Sequence, residues 1–208
     1  MPPTPPTPPT PELAEGRPPA SPLTASAPAE PAYDTVRVEH VVGDLFEQRD
    51  VYALAHGVNC VGRMGAGIAT EFRRRWPKMF AEYAQACRAG ELRPGSIFAY
   101  QISADRWVYN LATQHAPGRD ARLDAVADSL RAALAHARAH QVASIALPRI
   151  GAGIGGLDWR AVAATIEKVA CEPGAPPVLL RTVSRPSDRP LPEDRADRRD
   201  LFHTPGTS

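Results

Sequence analysis

With 208 residues the chain is long enough for one well-filled domain and hardly for two. Its 24 Lys and Arg against 23 Asp and Glu leave a formal net charge of +1, so no global field favours nucleic acid or an anionic membrane and any phosphate recognition must be local. Three widely spaced cysteines, Cys60, Cys87 and Cys171, without a CxxC, argue against a disulfide framework and for a reducing compartment.

Residues 1–32 hold twelve of the 23 prolines and almost no large apolar side chain, a composition that predicts disorder. The opening Pro-Pro-Thr repeat has the period of a polyproline II helix, which would put Thr4, Thr7 and Thr10 on one side. The segment lacks the basic and apolar regions of a signal peptide. No apolar run approaches the roughly 18 residues of a membrane span, so a soluble, cytoplasmic protein is expected. The globular part is placed at residues 33–183, followed by a charged, Pro-containing tail over 184–208 that also reads as disordered. Within it, Val36–Val42 alternates like an edge or half-buried strand, and Ala53–Val58 is apolar like a central one. Ile68–Trp76 reads as a helix, with Pro77 ending it or starting the next, Lys78–Ala89. Ser96–Gln101 and Trp107–Ala112 follow as strands. Arg122–His140 is the longest helix, with Leu123, Val126, Leu130 and Leu134 on one face. Ser144–Leu147, Trp159–Cys171 and Val178–Val183 complete the series as strand, helix and strand. This alternation predicts an α/β fold whose sheet, parallel or mixed, is covered on both faces, with ligands at the carboxyl ends of the strands.

Two glycine-rich segments follow predicted strands. The first, Asn59 to Ala69, carries Gly62, Gly65 and Gly67 and runs into an Arg-rich helix. Its glycines allow positive φ and close backbone approach, and the free N–H groups at the helix start suit a phosphate; they suit a tightly packed strand–helix turn equally well. The second, Gly151 to Gly156, satisfies GxGxxG. Its position argues against a Rossmann dinucleotide site: only one strand remains after it, and the nearest acid, Glu172, precedes that strand. The two loops make more sense as opposite walls of one diphosphate cleft. Asp44 could accept a hydrogen bond from an exocyclic amine or cap a turn. Asn59 could bind a ribose hydroxyl or form an Asx turn, and Asn110–His115 ends a strand between the loops. His136 and His140 have a zinc-compatible spacing without a third ligand, and read as exposed histidines. Cys60 and His115 could pair as a nucleophile, or Cys60 be a small loop residue. Arg73–Arg75 reads as a solvated face, and Asp158 as a helix N-cap.

Gly43-Asp44-Leu45-Phe46, Ala55-His56 leading to Arg63-Met64-Gly65-Ala66-Gly67-Ile68-Ala69, then Leu147-Pro148-Arg149-Ile150-Gly151 and Trp159, resemble the macrodomain family over about residues 36–183. More narrowly they are similar to the subclass with terminal ADP-ribose protein glycohydrolase, the DarG antitoxins and a chromatin-remodeller macrodomain. The resemblance implies a three-layer α/β/α fold with a mixed, mostly parallel sheet. It implies ADP-ribose with adenine near Asp44, the distal ribose near Asn59 and the diphosphate between the loops. The binding residues would be Asp44, Leu45, Asn59, Arg63, Met64, Gly65, Ala66, Gly67, Ile68, Ala69, Thr113, Ile150, Gly151, Ala152, Gly153, Ile154 and Gly155. Relatives that act through a covalent intermediate carry a Lys just after the Thr equivalent to Thr113, and an Asp in the second loop. Gln114 and Gly155 stand there in this chain. Other macrodomains hydrolyse with a water held against the ligand's phosphate and distal ribose, and others only bind.

The expectation is a hydrolase that removes mono-ADP-ribose from acidic side chains or deacetylates O-acetyl-ADP-ribose. Asn59 would fix the ribose, and Thr113 or Gln114 would orient the water or the leaving carboxylate. The alternatives are a reader of ADP-ribose without turnover, and an antitoxin-like hydrolase of ADP-ribosylated DNA. Expected partners are ADP-ribose, free or protein-linked, and ADP-ribosylated proteins; the expectation includes a monomer and neither cofactor, metal, membrane nor nucleic acid.

Overall fold

The computed structural model describes residues 36–176 and 178–188, so the Pro-Pro-Thr segment and the tail beyond Asp188 lie outside the described residues. In chain order the elements are β1 (Arg37–Val42), a 3-10 turn (Leu45–Glu47), β2 (Ala53–Val58), α1 (Ile68–Arg75), α2 (Pro77–Arg88), β3 (Ile97–Ser103) and β4 (Arg106–Ala112). They continue with α3 (Leu123–Ala139), β5 (Ser144–Pro148), α4 (Trp159–Ala170) and β6 (Leu179–Ser184). Every predicted strand and helix is present within two residues of its expected ends; the 3-10 turn was not foreseen. Pro77 opens α2, where its missing N–H costs nothing, and Trp76 closes α1 with its N–H on the Phe72 carbonyl.

The sheet has the order β1-β6-β5-β2-β4-β3. All neighbours run parallel except β3, which returns antiparallel to β4 because only two residues join them. Both faces are covered, which is why β2 is apolar toward both layers, with His56 the exception. Ala53 and Ala55 pack with Leu111, Ile145, Leu147 and Leu180 under α3 and α4. Leu54 and Val58 pack with Val108, Phe72, Met79 and Tyr83 under α1 and α2. Each fully buried aliphatic side chain contributes about 1.5–3 kcal/mol. In α3, Val126, Leu130 and Leu134 are buried as predicted, but Leu123 is 37% exposed. Helical side chains lean toward the N-terminus, so that of the first residue projects past the end of the helix and finds no cover. His136, predicted exposed, is half-buried instead, stacked on His140 with ring centroids 4.0 Å apart and within 3.1 Å of the Tyr109 hydroxyl.

One polar pair interrupts the α1/α2 layer. His56 and Asn110 are register partners on β2 and β4, both fully buried, and join through Nε2 and Oδ1 at 2.9 Å. The His56 ring stacks on Phe72 at 3.8 Å. Burial lowers its pKa to about 3, so it is neutral in the fold.

The chain leaves β2 toward α1 on one face and leaves β5 for α4 on the other, although β2 and β5 are neighbours. A crevice opens where such connections diverge, outside the carboxyl ends of the two strands.

Candidate functional site

That crevice is a cleft of about 1100 Å³. It is bounded in turn by residues following β1 (Gly43, Asp44), β6 (Arg185–Asp188), β5 (Ile150–Gly155), β2 (Asn59, Arg63, Gly65–Ala69) and β4 (Thr113, Gln114). From β1 to β4 it crosses four strand spacings, about 19 Å, which suits an extended dinucleotide-like molecule rather than a compact one. Every predicted binding residue lines it except Met64. Met64 is 1% exposed and belongs to the α1/α2 core, so its expected ligand contact is corrected to a packing role: the loop turns this side chain inward, away from the cleft.

The first loop owes its shape to Asn59, which is buried. Asn59 Oδ1 accepts from the backbone N–H groups of Val61 and Arg63, both at 3.1 Å, and Nδ2 donates to the Arg63 carbonyl at 2.6 Å. The Asx geometry foreseen as the alternative role of Asn59 is therefore present, and one Nδ2 hydrogen is left over. Gly67 has φ of 58° and stands at the N-cap of α1 without a side-chain cap. The first N–H groups of α1, at Ile68 and Ala69 on the cleft wall, therefore have no intrahelical acceptor. Such a terminus attracts an anion.

The second loop turns at Gly151, with φ of 69°. Ile154, half exposed, reaches back across the opening: a Cβ on Gly67 would lie 3.1 Å from Ile154 Cδ1. The two loops thus meet over the cleft. Gly155 faces the connection between β4 and α3, where a Cβ would lie 2.6 Å from the Gly151 carbonyl oxygen and 2.7 Å from Ala121 Cβ. Ala121 also donates its N–H to the Gly155 carbonyl at 3.3 Å, and Arg122 donates to the Thr113 carbonyl at 3.1 Å.

That connection is a closed unit. Gln114 Nε2 donates to the Ala116 carbonyl at 2.6 Å, and Asp120 Oδ2 accepts from the N–H groups of Ala116 and His115 at 2.7 and 2.9 Å. These N–H groups hold the Asp120 carboxyl below its usual range. With Nε2 engaged by the loop, Gln114 has its oxygen left as an acceptor. The buried Thr113 sets its hydroxyl over Gly57, where a Cβ would come within 2.9 Å.

The residues considered as a nucleophile pair meet only through backbone: the Cys60 N–H donates to the His115 carbonyl at 2.9 Å. Burial pushes the Cys60 thiol up to about 11, so it stays protonated and is a packing residue. Asp158 caps α4 through the Arg160 N–H as foreseen, and Asp44 caps the 3-10 turn through the Phe46 N–H at 2.8 Å while also lining the cleft. Arg74 and Arg75 pair with Glu71, and the Arg75 guanidinium lies 4.3 Å from the centre of the Phe46 ring. Among the described residues no group of three His, Cys, Asp or Glu could hold a metal. No described helix is long and apolar enough to cross a membrane.

Sequence reasoning missed the far wall. Arg149 and Trp159 line the cleft, the guanidinium 5.3 Å from the ring centre; Arg149 also donates to Ser184 Oγ at 2.9 Å and faces Asp188 at 3.8 Å. Residues 185–188, assigned to the tail, line the cleft as well. Their composition gives no sign of this; the one available signal was that they follow directly on a strand ending at the ligand edge.

The family model described as Macro domain matches residues 55–166, more than half of the chain. The DNA ADP-ribosyl glycohydrolase of Mycobacterium tuberculosis is 41% identical over 127 residues, which make up 58% of this chain and 35% of that protein. The chain therefore corresponds to about a third of that relative. Human ADP-ribose glycohydrolase OARD1 is 32% identical over 133 residues, 64% of this chain and 84% of the relative. Among solved structures, the macrodomain of Thermus aquaticus DarG superposes with a TM-score of 0.64 at 32% identity, covering 71% of this chain and 98% of that one.

Proposed function

The chain belongs to the macro domain family, and we propose that it binds ADP-ribose in the cleft and hydrolyses mono-ADP-ribose esters of acidic side chains, or O-acetyl-ADP-ribose. The observation that carries this reading is the cleft itself: two glycine loops and a helix N-terminus meet over its middle, with polar walls at either end. Adenine lies toward Asp44, whose second carboxylate oxygen can accept from the exocyclic amine. The diphosphate lies under the contact between Ile154 and Gly67, and the distal ribose lies between Asn59 and Thr113. Relatives named as ADP-ribosyl or ADP-ribose glycohydrolases support turnover.

The residues at the ribose end favour an ester. Asn59, Arg63, Thr113, Gln114, Pro117 and Gly118 include no carboxylic acid that could protonate a leaving group. The nearby Asp120 is held ionised by backbone N–H groups. A carboxylate departs without a proton, whereas a nitrogen leaving group needs one. Water held by the Gln114 oxygen and by the ligand's own phosphate would attack C1″. The bond from C1″ to the acyl oxygen breaks, the carboxylate leaves with the electron pair, and the water's proton passes to solvent. Gln114 positions and does not act as a base. Two features argue against a lysyl-adduct route: Gln114 stands where those relatives carry the lysine, and Ala121 crowds the space that a side chain at position 155 would need.

The same two replacements favour a second reading, a module that binds ADP-ribose without turnover. Calorimetry with free ADP-ribose, together with release assays on glutamate-linked ADP-ribosylated protein and on ADP-ribosylated DNA, separates the possibilities. Binding with release from protein supports the hydrolase. Binding with no release leaves the reader, and release from DNA alone transfers the substrate to nucleic acid. Absence of ADP-ribose binding would refute the reading altogether.

A further inference from the structure

The first glycine loop is held from beneath by a residue that does not line the cleft. Tyr83, fully buried on α2, donates its hydroxyl to the Asn59 carbonyl at 2.5 Å and lies 3.3 Å from Asn59 Oδ1. Its neighbours in that layer, Phe72 and Met79, fill space with no polar group. A hydroxyl there is costly unless bonded, and Asn59 is where its bonds go. Asn59 in turn fixes Val61 and Arg63 through three side-chain hydrogen bonds. The loop rests on the same helix one residue further on, because a Cβ on Gly62 would come within 3.1 Å of Ala84 Cα. With the Cys87 thiol 4.0 Å from the same Asn59 carbonyl, three contacts from α2 thus converge on a stretch whose glycines would otherwise leave it free to take many shapes.

We infer that Tyr83 is a positioning residue for the ligand site: by pinning Asn59 it sets the conformation of residues 60–67 before any ligand arrives. The role in affinity rests on the ADP-ribose reading of the cleft, while the role in loop order does not. A pre-formed loop spares the ligand the entropy of ordering it, so losing the brace weakens binding with no ligand contact removed.

The test is amide exchange by NMR on the ligand-free full chain, with ADP-ribose calorimetry alongside. In Tyr83→Phe, the Val61 and Arg63 amides should exchange about tenfold faster, the factor expected for one buried hydrogen bond. Val108 and Asn110 in β4 should keep their rates. ADP-ribose affinity should fall by a similar factor. Tyr83→4-aminophenylalanine, which returns a donor to the ring, should restore both readings; a role limited to core packing would show no such rescue. If Tyr83→Phe does not fold, Tyr83→4-fluorophenylalanine fills the hydroxyl's volume without donating. Unchanged exchange at Val61 and Arg63 overturns the proposal, as does faster exchange with unchanged affinity. If the wild-type chain does not bind ADP-ribose, the ligand reading falls, and the exchange rates still decide whether Tyr83 orders the loop.

Discussion

Gly155→Ala adds one methyl group at the seam between the second glycine loop and the β4–α3 connection. Gly155 does not have a positive φ, so the backbone conformation carries no penalty and the effect is steric. The new Cβ would meet the Gly151 carbonyl oxygen at 2.6 Å, Ala121 Cβ at 2.7 Å and Gly151 Cα at 3.1 Å. None of these is the far end of a flexible side chain. To make room, the loop and the connection must separate, lengthening the hydrogen bond from Ala121 to the Gly155 carbonyl. Overpacking of this kind costs about 1–3 kcal/mol, and the two backbone contacts put it at about 2–3. For a domain of this size that lowers Tm by about 4–12 °C. Because the same loop is proposed to cradle the diphosphate, ADP-ribose affinity should fall by about tenfold or more. Gly153→Ala is the control: it lies in the same loop, its Cβ meets nothing within 4 Å, and its effect should stay within about 0.5 kcal/mol. Thermal unfolding by circular dichroism and calorimetric titration of both variants check this. Equal Tm and Kd for the two would refute the steric argument.

Ile154→Ala removes the side chain that reaches from the second loop to Gly67; fold stability should hardly change while ADP-ribose dissociates several-fold faster, measurable by stopped-flow fluorescence with a labelled ligand. The neutral, buried His56 gives a pH dependence of definite sign. Its folded pKa of about 3 lies below the unfolded value of 6.5, so the unfolded chain binds more protons between those limits. Its part in stability is intact above pH 6.5 and is lost as the pH falls toward 3. Between pH 7 and pH 5 the loss is about 2 kcal/mol, and urea unfolding of His56→Gln should show a correspondingly smaller difference. Leu130→Ala, at a position 1% exposed between α3 and the sheet, should cost about 2–5 kcal/mol in the same assay, with ADP-ribose affinity of the folded protein unchanged.

The strands and helices were legible because their signals are local. Ala53–Val58 shows its burial on both faces as an apolar run broken by His56, and Pro77 announces a helix start through its missing N–H. The two loops were legible as a pair because both follow strands and the fold rule puts both at one edge. What escaped is contact between segments far apart in sequence. No periodicity tells that Ala121 fits beneath Gly155, that Tyr83 reaches Asn59, or that residues 185–188 turn back along the cleft. Gln114 illustrates the difference best. Its place on the cleft wall followed from its position after β4, but the engagement of its Nε2 by the Ala116 carbonyl depends on how the loop closes. Met64 differs for the opposite reason: it was read with its neighbours as a block, and an apolar side chain in a turn is free to point away from the cleft.

The placement of β1 has a bearing on how the protein is made. Among the described strands its sole neighbour is β6, and the paired residues His40 and Thr182 are 142 positions apart. During synthesis β1 emerges first and waits for the last strand, so its pairing carries the largest loop-closure entropy in the domain. The two glycine loops follow β2 and β5, which can meet earlier. The wall formed by Gly43, Asp44 and Val183 is therefore the last part of the cleft to be assembled, and pulse-labelled exchange during refolding should find the β1 amides protected after those of β2. A nascent chain halted before Leu179 would already own both glycine loops and still lack one end wall of the cleft.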